Sequence, residues 1–209
     1  MELRFRIILT ALIGLIALAV WTFPAWRGFL RDRQVIEAFP GLDMDLQDDF
    51  LALPADQRKA LIEMHETSPE MALGMVHVAI SESDRAPEDE REMSAETARV
   101  LASGEFGTID ALHWGKGTAT IYEFADRRIL RFEGFTSARG GDVRVYLSRD
   151  PQPRNALELG ADFLNLGRLK GNIGNQNYIL PQNHDLSIYR SAVVYCKQFE
   201  VVITSARLR

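Results

Sequence analysis

The chain has 209 residues, 46% hydrophobic and 25% charged, the composition of an ordinary globular protein and not of a disordered or fibrous one. Its net charge of -5 divides into +2 over residues 1–42, -10 over residues 43–102 and +3 over residues 103–209. Basic residues are scattered and the largest charge block is acidic, which excludes a nucleic-acid surface.

Residues 7–26 (IILTALIGLIALAVWTFPAW) are twenty residues without a charge. At ~1.5 Å rise per residue, a helix of that length spans ~30 Å, the thickness of a bilayer core. Trp21 and Trp26 fall at one end, where aromatic rings favour the interface. Arg4 and Arg6 flank one side and Arg27, Arg31 and Arg33 the other, so the positive-inside rule does not orient the segment. The expectation is a short flank over residues 1–6 and a single-pass anchor over residues 7–26. The rest of the chain then lies on the extracytoplasmic side, with the membrane as first partner. The alternative is a cleaved signal peptide, with Ala17-Leu18-Ala19 as the small-residue site. It also exports the remainder.

Residues 27–102 read as an acidic helical spacer. Pro54-Ala55-Asp56 opens one helix-like stretch, with Leu61, Ile62 and Met64 as apolar positions. Ser68-Pro69-Glu70 opens another, combining an N-cap residue, proline at the first helical position and a carboxylate near the positive end of the dipole. Met71, Met75 and Val78 follow on one face. Residues 81–92, charged and interrupted by Pro87, read as a solvated loop, and Val100 and Leu101 close a weaker helical pattern from Ser94. Met64, Met71 and Met75 with His65 and His77 are nominal soft-metal ligands. Without tight His/Cys spacing they read as a core stripe with surface histidines, and no metal site is assigned.

The texture changes at Ser103-Gly104, where glycine, β-branched and aromatic residues rise. Residues 118–124 (TATIYEF) and 128–135 (RILRFEGF) predict a hairpin, and residues 142–148 (DVRVYLS) a further strand. Leu164, Leu166 and Leu169 form an apolar patch before a Gly/Asn-rich turn at residues 170–176. Residues 178–180 form a short strand stopped by Pro181, and residues 192–196 and 199–203 are the last apolar runs. Whether Lys197-Gln198 is a turn or a bulge stays open. Such spacing predicts a mainly β fold: an antiparallel β-sandwich or barrel-like domain over residues 103–209, behind a transmembrane helix and short α-helices.

The stretches SGEFGTIDALHWGKGTATIY, RILRFEGF, GGDVRVYLS, LNLGRLKGNIGNQNYILP and YRSAVVYCKQFEVVITSARL occur in this order. Together they resemble the DM-thirteen (electron transfer DM) domain family over residues 103–209. The family often has Gly-Pro where this chain has Gly140-Gly141, and often Trp where it has Tyr195. The resemblance implies a β-rich extracytoplasmic module, found in animals beside haem-binding domains. Its cysteine is proposed to act in electron transfer, as a free thiol or through a prosthetic group such as haem.

That cysteine is Cys196, the only one in the chain. A lone exported thiol has no internal disulfide partner. From the residues alone it is a small core hydrophobe, because Ala192 and Val194 share its strand face. With the resemblance it becomes the candidate redox or ligating residue, with His184 and His113 as candidate cofactor-binding helpers. The cofactor is undetermined, with haem as the group the resemblance brings. Covalent attachment is excluded, since no C-x-x-C-H motif occurs. The implied function is an electron-transfer module with a redox partner protein, preferred over a turnover enzyme, a choice that stays open. The alternative is a non-catalytic adhesion or scaffold module with a structural cysteine. A Cys196–Cys196 bridge between chains is a minor third reading. Asn172, Asn175 and Asn177 read as turn residues.

Overall fold

A computed structural model describes residues 38–87 and 98–209, together with Phe5, Leu12, Gly14, Val20 and Thr22. The chain divides into two compact units, Met1–Glu37 and Ala38–Arg209. In the first, the five described residues are helical, and Phe5, Leu12 and Val20 are exposed. Apart from four of these, the expected anchor over residues 7–26 lies outside the described residues. Among the described residues no helix is long and apolar enough to cross a membrane.

The second unit begins with helices. A short 3-10 turn at Met44–Leu46 leads into α1 (Gln47–Ala52), then α2 (Ala55–Thr67) and α3 (Pro69–Ile80). Pro54 precedes α2 and Pro69 opens α3, positions where a missing N–H costs nothing. The expected Ser68 cap is not made: its side chain has no capping bond, and its backbone N–H closes α2 onto Met64 instead. The buried face of α3 is also shifted. Ala72 and Val76, one helical turn apart, are fully buried, while Met71 is 41% exposed. Together with Phe39, Leu42, Phe50 and Leu61 they form a small core, and Leu112 of the β-region packs against it.

Eight strands follow: β1 (Arg99–Glu105), β2 (Gly115–Glu123), β3 (Arg128–Ser137), β4 (Val143–Ser148), β5 (Phe163–Arg168), β6 (Gln176–Leu180), β7 (Ser191–Cys196) and β8 (Val201–Arg207). A short helix, α4 (Ala156–Leu159), lies between β4 and β5. They form two four-stranded antiparallel sheets, β1-β2-β3-β6 and β5-β4-β7-β8. Phe106, Phe132, Phe135 and Tyr178 pack in T-shaped and tilted pairs, 4.7–5.4 Å between ring centres, in the core the sheets enclose. The sheets touch along one edge, where Ser103 and Arg209 exchange backbone hydrogen bonds.

The predicted hairpin is β2–β3, and its turn closes with Phe124 N–H donating to Arg127 C=O. One expectation is corrected and two open readings are resolved. Val100 and Leu101 lie in β1, not in a helical pattern, because β1 pairs along its length with β2. The Leu164–Leu166 patch is a strand, β5, paired to β4. Residues 197–200 form a turn with Glu200 at φ 55°, and a separate bulge sits between Val194 and Tyr195.

Residues 81–87 are the expected solvent-exposed loop except at Ala86, but the loop is docked on the β-domain, and residues 88–92 of the expected loop lie outside the described residues. Arg85 bridges Ile173 in parallel, Ala86 N–H donates to Ile173 C=O at 2.8 Å, and Ile173 N–H returns a bond to Asp84 at 3.1 Å. Asn172 fastens this seam. Its Oδ1 accepts from Asp84 N–H at 2.8 Å and its Nδ2 donates to Ser137 C=O at 3.2 Å. Gly171 allows the close approach, since a Cβ there would overlap the backbone of Arg85 and Ala86. The Asn172→Ala substitution leaves the buried Ser137 carbonyl and the part-buried Asp84 N–H short of a partner. It is expected to cost about 1–3 kcal/mol, read as a lower urea midpoint for the full chain.

Candidate functional site

β7 is an inner strand, hydrogen-bonded to β4 on one side and β8 on the other. Both of its faces are therefore covered. Ala192, Val194 and Cys196 face the main core, while Val193 and Tyr195 face a second cluster with Tyr146, Leu159 and Val202. Cys196, at the end of the strand opposite Val143 and Val201, is 1% exposed. The Gly140-Gly141 loop lies over it: a Cβ on Gly140 would stand 3.2 Å from the sulfur and 2.6 Å from Val143 Cγ2. A side chain at Gly140 would thus press on both.

The sulfur's other neighbour is a cavity of about 290 Å³ between the helices and the sandwich. Leu61 of α2 and Met75 and Val78 of α3 form its helical wall; Trp114, Phe199 and Ile203 form part of its β wall. Cys196 and His113 both border it. His184 does not. It sits exposed in the loop after β6, where its backbone carbonyl accepts from Arg128 Nη1 at 3.3 Å. The structure thus brings two of the three sequence candidates together.

His113 is held by a tight turn between β1 and β2. Asp110 Oδ1 accepts from the backbone N–H of Leu112 and of His113, both at 2.8 Å. Both carboxylate oxygens lie 2.9 Å from His113 Nδ1. Burial pushes the Asp110 carboxyl up, but the hydrogen bond and charge of His113 outweigh it and hold the group below its ordinary value. An ionised carboxylate only accepts, so the ring proton sits on Nδ1. Nε2 is buried and has no hydrogen-bond partner, Cys196 included. The D-x-x-H spacing in IDALHW was the signal for this pair. Asp110, Trp114 and Met75 are site residues that the sequence reading did not assign.

The nominal soft-metal set does not assemble. His65 packs edge-on to Phe39 at 5.3 Å, Met71 and His77 are exposed, and Met75 alone of the five reaches the cavity. Among the described residues no group of three or more His, Cys, Asp or Glu could hold a metal ion. Haem does not fit either. A cavity of ~150 Å³ suffices for one benzene ring. About 290 Å³ holds a substituted ring or two, not a four-pyrrole macrocycle with its propionates. Asn172, Asn175 and Asn177 bond to Ser137, Gly134 and Arg131, as turn and strand fasteners do.

The depressed Asp110 value sets a pH dependence. Its stabilisation is present in full above the unfolded value near ~3.9 and is lost as pH falls through the lower folded value. The urea-midpoint difference between wild type and Asp110→Asn is therefore expected to be largest near neutral pH and to vanish below the folded value.

Residues 105–208 match the family model described as Electron transfer DM13. No curated protein and no solved structure gives a significant match to the chain. The match runs from the end of β1 to just past β8 and includes Asp110, His113 and Cys196, so this β-domain belongs to the electron transfer DM13 family.

Proposed function

We propose that this protein is a membrane-anchored, extracytoplasmic redox module whose working group is the Cys196 thiol. The family description supplies the coarse role, electron transfer. The observation that carries the finer one is that Cys196, the chain's single cysteine, is among the residues that line a cavity. A thiol so placed is shielded from bulk water and from large reagents, yet open to a small molecule in the cavity. The expected hydrophobic segment at residues 7–26 supplies the tether, and an oxidised redox partner protein takes one electron from the Cys196 thiol, whose proton goes to solvent, with the reverse step restoring the thiol. No porphyrin enters this reading, for the volume reason given above.

A second reading is favoured by a different observation: Cys196 is 1% exposed and belongs to the main core cluster. On that reading the sulfur only packs, and the module is an adhesion or scaffold unit of the cell envelope.

Electrochemical titration of the purified full chain against small mediators separates them. The redox reading expects a reversible wave in wild type that disappears in Cys196→Ser and Cys196→Ala, with the folded circular dichroism spectrum retained. An identical response from all three proteins overturns it in favour of the packing reading.

A further inference from the structure

We propose that the cavity between the helices and the sandwich binds a small uncharged apolar molecule, with a substituted aromatic ring as the type. Size sets the bound: about 290 Å³ exceeds the ~150 Å³ that admits a benzene ring and leaves room for substituents. The walls set the polarity. Leu61, Met75 and Val78 on the helical side face Trp114, Phe199 and Ile203 on the β side. Four of these six, Met75, Val78, Trp114 and Phe199, are only half-buried, so apolar surface remains for a ligand to cover. Two of them are ring systems and one is a thioether, partners that suit an aromatic guest.

The charged and hydrogen-bonding groups on the walls are largely engaged with the protein itself. Arg139 donates to Ala79 C=O and to Ser83 Oγ at 2.9 Å. Asn172 is held between Asp84 N–H and Ser137 C=O, and Ser137 Oγ donates to Ala138 C=O at 2.9 Å. His113 turns Nδ1 to Asp110, and its Nε2 is buried, so the ring gives a ligand no nitrogen to reach. The other polar side chains, Gln57 and Thr136, are neutral. Among the described residues no carboxylate lines the cavity. A cation would therefore shed its water and meet no counter-charge. An anion would meet only a guanidinium that is already engaged. A neutral hydrocarbon loses nothing of this kind on entry.

The proposal names the ligand class of the cavity that Cys196 lines, and it rests on the redox reading for the ligand's use but not for its binding.

The test titrates the full chain, labelled with [¹³C-methyl]methionine, with toluene, benzoate and benzylamine, probes built on one ring that differ in charge. The Met75 methyl resonance, assigned by its loss in Met75→Leu, is followed, with the exposed Met71 as the control that stays still. The expected result is a saturable Met75 shift with toluene, at an affinity about tenfold or more above that of either charged probe. Val78→Phe, which fills space at the helical wall, is expected to abolish that shift. Absence of a saturable shift with toluene overturns the proposal. So does a charged probe that binds as tightly, and so does an unchanged toluene affinity in Val78→Phe. Should Val78→Phe fail to fold, the ranking of the probes on wild type decides by itself. The methyl shift reports binding whether or not the thiol is redox-active, so its failure and the failure of the electrochemical wave are told apart.

Discussion

One buried amide side chain joins the two layers that make the cavity. Asn172 lies in a loop of the β-sandwich, yet it grips Asp84 at the exit of the helical segment and Ser137 at the end of β3. Arg85 and Ala86 pair with Ile173 beside it, and Gly171 is bare so that the two backbones can meet. Arg139, which donates to Ala79 C=O of α3 and to Ser83 Oγ, and Leu112, packed on the helical core, hold the Met75 and Val78 wall alongside that seam. The acidic segment is thus part of the site's construction. It shares one compact unit with the strands and supplies a wall that the family domain, residues 105–208, does not contain.

Inside that enclosure the chemistry is sparse, and the sparseness is informative. An inner strand, covered on both faces, fixes Cys196 at the cavity edge. A short turn fixes Asp110 against His113 Nδ1 and leaves Nε2 unanswered. A buried polar atom without a partner is costly, so folds retain few of them, and those that persist often mark function. His113 and Cys196 line the same cavity, and His113 Nε2 has no hydrogen-bond partner there, Cys196 included.

The strand content was legible because period-two alternation and turn residues are local signals. The β2–β3 hairpin and the shared face of Ala192, Val194 and Cys196 follow from them directly. β1 and β5 were not legible. Their residues are ambiguous alone, and become strands by pairing across the connecting loops with their sequence neighbours β2 and β4. The docking of residues 81–87 was hidden for the same reason: a charged stretch reads as solvated unless its partner loop is known. The site was half legible. Cys196 stood out by being alone, and His113 was named beside it, whereas His184 was separated from both by the fold. Asp110 carried the usable signal, a carboxylate three residues before a histidine in a turn. Trp114, Met75 and the rest of the cavity wall come from three separate parts of the chain, and only the packed structure collects them.

The central claim is that the Cys196 sulfur belongs to a cavity that small molecules can reach, not to solid core. Its most direct measurement is the rate at which a small uncharged alkylating reagent modifies Cys196 in the folded, full-length chain, read by mass spectrometry across low denaturant concentrations. The account predicts modification under native conditions at a rate that stays flat until the unfolding transition begins. A rate that tracks global unfolding from the first addition of denaturant, with no native-state reaction, would contradict it.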